Sequence, residues 1–219
     1  MNIYILAIVL GAAAYLIGSV NFSIILSRAL SGKDIRESGS GNAGATNMLR
    51  THGKKMGALT LVLDILKGVV CVLAAALIES RLIGAQPEMR QTLMYIPLRY
   101  IAAVCVILGH NFPLYFGFAG GKGVATSLGV VLVLDWKVGL IVGICAVAVM
   151  AVTRYVSLGS VLGGAAYIIV EIVKAAVTDS VVPAQIVCVI IIGGLLIIRH
   201  HANIKRLLSG TENKLGAKK

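Results

Sequence analysis

Long apolar runs separated by short polar loops make up most of this 219-residue chain. The sequence is 58% hydrophobic and 13% charged, whereas soluble domains are roughly half apolar and about a quarter charged. One soluble core cannot bury so much apolar surface, so the pattern predicts an all-α integral membrane protein that forms a single domain over residues 1–219. We predict seven transmembrane helices, at about residues 3–30, 56–79, 95–117, 122–135, 138–153, 158–177 and 183–199.

The fourth and fifth of these segments are short, because a membrane-spanning helix needs roughly 17–25 residues. They are either two separate short helices or one broken hairpin around Asp135, Trp136 and Lys137. Five or six crossings therefore stay open as alternatives to the seven that we predict.

The net charge of +11 is unevenly distributed among the loops. With seven crossings, thirteen of the 20 Lys and Arg residues fall on one side, and four fall on the other. The richer side holds loops 31–55, 117–123 and 153–157 and the tail from Arg199, which includes Lys218 and Lys219. Since positive loops stay in the cytoplasm, we predict an N-terminus outside and a C-terminus in the cytoplasm. Without a soluble basic domain, the charge indicates contact with membrane lipid and not with nucleic acid.

Two pairs of opposite charges lie inside predicted spans. Asp64 and Lys67 are three residues apart in the second span. An intramembrane charge is costly and is by default a candidate functional group, but two such charges on one helix face can also neutralise each other. We favour the structural interpretation for this pair, and also for Glu171 and Lys174, which repeat the spacing in the sixth span.

The stretch SGSGNAGATNMLR, residues 38–50, follows the first predicted span. Its glycines let backbone N–H groups converge on an anion, and Arg50 adds a fork suited to phosphate. If the chain becomes helical after Thr46, the positive end of that helix dipole also points into the loop. Neutral donors come from Ser40, Asn42, Thr46 and Asn47. We therefore predict a phosphate site here in preference to a flexible turn.

A second glycine-rich stretch, FAGGKGVAT at residues 118–126, combines backbone donors with Lys122 at the start of an apolar helix. It is not a Walker A motif, because Phe116 occupies the position of the first glycine, and Gly123 follows the lysine where Ser or Thr is needed. We therefore exclude a nucleotide site and retain a phosphate site. The alternative is a lysine that only extends from a helix start to the interface.

Two further stretches lie on the same predicted side. RYVSLGS, residues 154–160, is typical of a helix cap with an interfacial aromatic residue. In RHHANIKR, residues 199–206, His200 and Asn203 share a helix face, whereas His200 and His201 do not face each other and so do not indicate a metal site. A basic interfacial tail is the alternative. The sequence shows no Ser-His-Asp set and no HxxxxD dyad, so a reaction here would depend on positioning and charge stabilisation.

Taken in order, GSGNAGATN with Arg50, GHNFPLYFGFAGGKGVAT, RYVSLGS and HHANIKRLLSGTE resemble the motifs of the bacterial membrane glycerol-3-phosphate acyltransferases that use acyl phosphate, the PlsY family. The resemblance covers nearly the whole chain. It implies seven helices in the bacterial inner membrane and an active site at the cytoplasmic face. It also implies transfer of a fatty acyl group from acyl phosphate to the 1-hydroxyl of glycerol 3-phosphate, which gives lysophosphatidic acid and phosphate in the first step of phospholipid synthesis.

The resemblance further implies which residues act. Catalytic roles fall on Ser40, Arg50, Lys122 and His200. Substrate-binding roles fall on Gly41, Asn42, Gly44, Thr46, Asn47, Gly120, Gly121, Gly123, Thr126, Ser157 and Asn203. We expect no metal ion and no cofactor, and functional coupling to an enzyme that forms acyl phosphate.

One position departs from the family pattern. Ala119 stands where the family usually has the first lysine of F-K-G-G-K, so one positive charge is missing near the phosphates. We expect weaker donor binding unless Arg50 or a tail residue compensates.

Two other functions are compatible with a membrane protein of this kind. A transporter of organic phosphate also binds anions with glycine-rich loops at helix breaks, but here the polar loops gather at one face and no inverted repeat is visible. A scaffold subunit of a lipid-synthesis complex would leave the phosphate loops unexplained.

Overall fold

The computed structural model describes residues 2–216, so Lys218 and Lys219 of the basic tail lie outside the described residues. The described chain is helical and contains no β-strand. Short 3-10 helices lie at Ile35–Glu37 and Leu114–Phe116. The α-helices are α1 (Ile3–Ser19), α2 (Phe22–Ser31), α3 (Ala45–Ala85), α4 (Met89–Tyr95), α5 (Leu98–Asn111), α6 (Val124–Leu134), α7 (Trp136–Thr153), α8 (Val156–Val177), α9 (Pro183–Arg199) and α10 (His201–Leu208).

Five helical segments are long and apolar enough to cross a membrane, by length and composition. They are Ile3–Ser31, Ala45–Ala85, Met89–Phe116, Trp136–Thr153 and Val156–Val177. A sixth is counted if α9 and α10, which are bent by 55°, form one span. The fold is therefore that of a helical integral membrane protein, as the sequence predicts. The remaining apolar helix, α6, has 11 residues, or about 16 Å at 1.5 Å per residue, and so reaches across about half of a 30 Å hydrocarbon core.

Several predicted spans are interrupted or extended. The first consists of α1 and α2, separated by a break where the buried Asn21 side chain accepts a hydrogen bond from the backbone N–H of Ile24 at 3.2 Å. The second begins at Ala45, and not near residue 56, because the glycine-rich loop leads directly into α3. This helix is kinked at Gly53, whose φ of 82° is left-handed. The fourth and fifth are separate helices that meet at Asp135.

A buried charged cluster lies beneath the break between α1 and α2. Lys67 forms an ion pair of 2.9 Å with Asp64, and both side chains are at most 3% exposed. The Lys67 amine also donates to the carbonyl oxygens of Gly18 and Val20, at 3.1 and 2.9 Å. His110 of α5 completes the cluster, with Nδ1 3.0 Å from the amine and 3.5 Å from the carboxylate. The predicted self-neutralising pair is therefore confirmed, and it also satisfies carbonyl groups that the helix break leaves free.

Close packing of α6 on α3 places the second glycine-rich stretch beside the first. Gly68 of α3 faces the backbone of Thr126, and Gly129 of α6 faces the backbone of Ile65, with no room for a side chain at either glycine. At the other end of α6, Asp135 caps α7 and forms an ion pair with Lys174 of α8. Lys174 also pairs with Glu171 at 3.2 Å, which agrees with the structural interpretation of that pair.

All four cysteines are free thiols: Cys71 is buried, Cys105 and Cys188 are partly buried, and Cys145 is exposed. Its position on α7 is exposed in the isolated chain, among apolar neighbours such as Ile141 and Ile144 that are also exposed. Such a surface is explained by lipid contact, because lipid is as apolar as the protein interior.

Candidate active site

A cavity of about 550 Å³ brings together residues from all four polar stretches of the sequence. Eleven of the predicted site residues line it: Ser40, Asn42, Gly44, Thr46, Asn47, Arg50, Lys122, Gly123, Ser157, His200 and Asn203. Four of them do not: Gly41, Gly120, Gly121 and Thr126. Residues from the four polar stretches therefore share one cavity, with fewer lining residues than the sequence analysis proposed for the site.

Three helices begin at this cavity. The first residues of α3, α6 and α8, namely Ala45, Val124 and Val156, all line it. First-turn N–H groups have no partner within their own helix and carry the positive end of the helix dipole. Four basic side chains and two carboxylates share the lining: Arg50, Lys54, Lys122, Arg206, Asp64 and Glu212. Helix ends and net positive charge together form a site suited to phosphate.

Asn47 braces the first glycine-rich loop. Its side chain is 1% exposed, accepts a hydrogen bond from the backbone N–H of Ser40 at 2.9 Å, and donates to the carbonyls of Ile35 and Ser38 at 3.0 and 2.9 Å. Three backbone groups of the loop are thereby held by one amide. This residue was predicted to bind substrate, but its hydrogen-bonding capacity is used to shape the loop.

Gly120 and Gly121 do not offer their amides to the cavity as predicted. Their N–H groups donate to the carbonyls of Asn111 and His110, both at 3.2 Å, at the end of α5. A side chain at Gly121 would also overlap the His110 ring. These glycines were predicted as phosphate donors, and the prediction is corrected: they allow the loop to pack tightly against the end of α5, which positions Lys122.

Two other predicted binding residues are also turned away from the cavity. The amide of Gly41 donates to the carbonyl of Ser38 at 3.1 Å, within the turn. Thr126 is fully buried, and its backbone packs against Gly68 of α3. Successive side chains of α6 are turned by about 100° around the helix axis, so the next residue, Ser127, lines the cavity in place of Thr126.

A hydrogen-bond network at the polar end of the cavity joins three segments. Lys122 donates to the side-chain oxygen of Asn203. The Asn203 amide donates to Glu212 Oε1 at 2.6 Å, and Ser157 donates to the same oxygen at 2.8 Å. The second oxygen of Glu212 pairs with Arg206 at 2.7 Å. One carboxylate therefore connects the start of α8, helix α10 and, through Asn203, the second glycine-rich loop.

Electrostatics at this end favour a readily titrated lysine. Burial lowers the pKa of Lys122 from its ordinary 10.5 to about 8; Glu212 opposes the shift, whereas Arg206, Arg199 and Arg50 add to it. Burial alone would raise the pKa of Glu212, but hydrogen bonds from Asn203, Ser157 and Arg206 outweigh it and hold that pKa below its ordinary value. At neutral pH the site therefore carries a charged lysine that a bound phosphate would stabilise.

His200 lies at the junction of α9 and α10, in the wall of the cavity. It is 3% exposed, and its Nδ1 is 2.7 Å from the carbonyl oxygen of Leu196. A carbonyl oxygen only accepts, so this ring nitrogen carries the proton and Nε2 is the acceptor of the neutral ring. The ring is thereby oriented by the preceding turn of α9.

Two arginines hold the loop that contains Ala119. Arg36 donates to the carbonyls of Phe116 and Ala119, at 2.8 and 2.9 Å, and is itself paired with Asp34 at 2.9 Å. Arg199 donates to the carbonyl of Gly121 at 3.0 Å. Positive charge is therefore present along this loop, although it contacts carbonyl oxygens and not the cavity.

The sequence analysis missed two arginines that hold the neighbouring loop, Arg36 and Arg199, and two lining residues, Arg206 and Glu212. One signal could have identified the last of them. Glu212 is the only acidic residue after Asp179, in a tail that is otherwise basic. A lone carboxylate among cations is expected to be paired, and here it organises the network.

The other end of the cavity is apolar. Below Ser157 and Lys122 the walls are formed by Leu128, Val131, Val142, Ala146, Met150 and Ile192, with glycines at positions 139, 143, 163 and 164. A cavity with a cationic mouth and an apolar interior is complementary to an amphiphile that carries a phosphate at one end and a hydrocarbon chain at the other.

Comparisons with known proteins agree with this geometry. The family model "Glycerol-3-phosphate acyltransferase" matches residues 8–210. A glycerol-3-phosphate acyltransferase of Clostridioides difficile is 44% identical over 97% of each chain. One of Trichormus variabilis is 45% identical and covers 94% of this chain and 90% of its own.

Solved structures give the same result for the fold. A crystal structure of PlsY (YgiH), an integral membrane glycerol 3-phosphate acyltransferase in its glycerol 3-phosphate form, superposes with a TM-score of 0.80 at 36% identity and covers 96% of both chains. The lysophosphatidic acid form gives a TM-score of 0.76 at 34% identity. A family match over nearly the full length, close relatives and a shared membrane fold lead to one conclusion: this chain belongs to the glycerol-3-phosphate acyltransferase family of integral membrane proteins.

Proposed function

We propose that this protein transfers a fatty acyl group from acyl phosphate to the 1-hydroxyl of glycerol 3-phosphate and releases lysophosphatidic acid and phosphate. The observation that carries the proposal is the single cavity in which Arg50, Lys122 and Arg206 surround a cationic mouth above an apolar interior. Both substrates carry phosphate, and the donor also carries a hydrocarbon chain. Family membership supports the acyltransferase activity.

In this proposal Lys122 and Arg50 bind phosphate and stabilise the charge that develops on it. The free first-turn amides of α3 and α6 act beside them, because preorganised donors are most effective where water is excluded. Ser40 lies in the same lining and orients a phosphate through its hydroxyl. His200 and Asn203 position the glycerol 3-phosphate, and Ser157 supports them through Glu212.

The reaction itself needs little from a protein base. The 1-hydroxyl oxygen attacks the acyl carbon, the bond between that carbon and the bridging phosphate oxygen breaks, and the phosphate leaves with the electron pair. The leaving phosphate takes the hydroxyl proton, which balances the step. An acyl phosphate is an activated mixed anhydride, so holding the charge of its leaving group is the main requirement. A step in the pH–rate profile that disappears in His200→Gln would instead assign the base to that histidine.

We propose seven crossings, with the N-terminus outside and the C-terminus in the cytoplasm of a bacterial inner membrane. The short helix α6 supports seven, because its far end at Asp135 meets Lys174 near the end of α8, while its near end leads into the cavity. The glycine-rich loop before α6 then completes the crossing. In a cysteine-free background, a cysteine at Lys137 should react with an impermeant maleimide from outside, and one at Lys205 only after permeabilisation. The reverse pattern would refute this orientation.

We propose that the donor arrives through functional coupling to an enzyme that forms acyl phosphate. An acyl phosphate is reactive and amphiphilic, so a source at the same membrane limits its hydrolysis. Co-reconstitution of both activities in one vesicle, compared with separate vesicles, tests this: equal rates in the two arrangements would contradict coupling.

The direct test of the function uses purified protein and labelled glycerol 3-phosphate with palmitoyl phosphate or palmitoyl-CoA. We expect labelled lysophosphatidic acid from palmitoyl phosphate only. Lys122→Ala should abolish it, whereas Lys137→Ala, which removes a lysine that does not line the cavity, should not. The proposal would be overturned if the wild-type protein and Lys137→Ala are both folded and neither gives product from either donor.

A further inference from the structure

The lining of α8 changes from small to large along one face. Ser157, Ser160, Gly163, Gly164 and Tyr167 all line the cavity. Their spacing of three and four residues places them on one stripe of the helix. The first four are small and let neighbouring side chains approach the helix, and Tyr167 is the first bulky side chain on the stripe. Tyr167 is also the last residue of α8 that lines the cavity, so its ring lies at the inner end of the lining along this helix.

The length of the cavity lining is nearly the same along the neighbouring helices α8 and α7. Along α8 the lining runs from Ser157 to Tyr167, ten residues or about 15 Å. Along α7 it runs from Met150 to Gly139, eleven residues or about 16 Å. A carbon–carbon bond of about 1.5 Å advances an extended chain by about 1.3 Å. About 12 carbons of an extended acyl chain therefore fit between the mouth and Tyr167.

Tyr167 is a fixed part of this floor. It is 3% exposed and belongs to the main apolar core, with Val131 and Ile192 of the cavity wall in the same cluster. Its hydroxyl has no hydrogen-bond partner among the described residues. The ring is thus held by packing and not by a hydrogen bond, and it cannot swing aside in a closely packed interior without displacing its neighbours.

The cavity has one wall that is shared with the outer surface of the chain. Leu61 of α3 and Val147 of α7 line it and are also 42% and 61% exposed on the surface of the chain. A chain too long for the straight path can therefore bend at the floor and leave its end among lipid tails. Carbons beyond the floor then gain little from the protein, since lipid is as apolar as the cavity.

We propose that Tyr167 is a specificity-determining residue that sets how many carbons of the acyl chain bind straight in the cavity. The inference rests on the proposed acyl-phosphate function and deepens it. Each methylene buried up to the floor should raise kcat/KM about fourfold. The logarithm of kcat/KM should then rise with chain length to about 12 carbons and level off beyond.

The test measures kcat/KM for saturated acyl phosphates of 8 to 18 carbons, a series of about six lengths chosen to bracket the break near 12 carbons. Tyr167→Ala should move the break to longer chains by at least about two carbons. The ratio of kcat/KM for the two chain lengths that flank the old break should then rise roughly tenfold. Tyr167→Phe keeps the ring and should keep the break. Ile144→Ala, on the exposed face of α7 outside the cavity, is the matched control.

A second variant protects the test against misfolding. An alanine at Gly163 would place its Cβ 3.3 Å from Ala146 Cβ, a tight contact that a shift of a few tenths of an ångström relieves, and alanine favours the helix. Gly163→Ala should narrow the path and shift the break to shorter chains. The role of Tyr167 would be refuted if the wild-type protein is active and the break in the dependence of kcat/KM on chain length is unchanged in both Tyr167→Ala and Gly163→Ala. Wild-type protein inactive with every acyl phosphate would refute the proposed function instead.

Discussion

The side-chain amine of Lys122 donates a hydrogen bond to Oδ1 of Asn203, a residue 81 positions later in the chain. This contact connects the second glycine-rich loop to helix α10, and Glu212 continues it to Ser157 at the start of α8. The polar end of the cavity therefore depends on residues that are distant in sequence and joined by hydrogen bonds in space. Its consequences are open to measurement.

Loss of the Lys122 charge should abolish most catalysis. We expect Lys122→Met to lower kcat/KM by about 10²–10³-fold, the usual effect of removing one donor to a developing charge. Lys122→Arg keeps the charge but changes its geometry, so partial activity is expected. Steady-state assays and the melting temperature of each variant separate catalysis from folding. A fully active Lys122→Met would show that the lysine does not hold the leaving phosphate.

The pH dependence should show the same lysine titrating. Because its pKa is lowered to about 8, kcat/KM should fall as pH rises through about 8, when the charge is lost. Stability should change in the opposite direction. Between pH 8 and 10.5 the unfolded chain binds the proton that the folded chain has lost, so the free energy of unfolding rises with pH in that window. Both trends should be absent in Lys122→Met.

Glu212 should be needed for the architecture of the mouth. Glu212→Ala removes the acceptor of Asn203, Ser157 and Arg206 and leaves their donors unpaired, so a lower melting temperature and a large loss of activity are expected. Since its folded pKa is depressed, its contribution to stability is present above its ordinary value of 4.5 and is lost as pH falls below it. Thermal melts at pH 7 and pH 4 should differ less in Glu212→Ala than in wild type.

The buried cluster under the helix break should be sensitive to single changes and less so to a paired one. Asp64→Asn leaves Lys67 as an uncompensated buried charge, and we expect a loss of about 3–5 kcal/mol in the free energy of unfolding. The double variant Asp64→Asn, Lys67→Met removes both charges and should recover part of it. Denaturation in one detergent measures this. If the loss in the double variant equals the sum of the losses in Asp64→Asn and Lys67→Met, the two side chains do not interact.

Restoring the missing lysine at position 119 should improve donor binding. Ala119 is exposed on the loop that precedes Lys122, and Arg36 holds its carbonyl and not its side chain. Ala119→Lys should therefore fit without strain and lower the KM for acyl phosphate a few-fold at low salt, with the effect screened as salt rises. Ala119→Gln is the matched uncharged control, and an equal gain from glutamine would exclude a charge effect.

Local patterns determined the class of fold and most members of the site. Apolar runs require a bilayer because their surface exceeds any soluble core. Glycines followed by helix starts at Ala45 and Val124 indicate where first-turn N–H groups are available to an anion, and both helix starts line the cavity. Ser40, Lys122, Ser157 and His200 line one cavity, and the sequence analysis expected them together because the seven predicted crossings put their loops on one side.

Only the tertiary structure decided which donors are free. The amides of Gly120 and Gly121 are bound to the end of α5, Thr126 faces α3, and Glu212 unites groups from three segments. The sequence could not show this, because composition states which polar groups a loop carries and not where their partners lie. Hydrogen bonds have short reach and fixed direction, so their pairing depends on how separate helices pack.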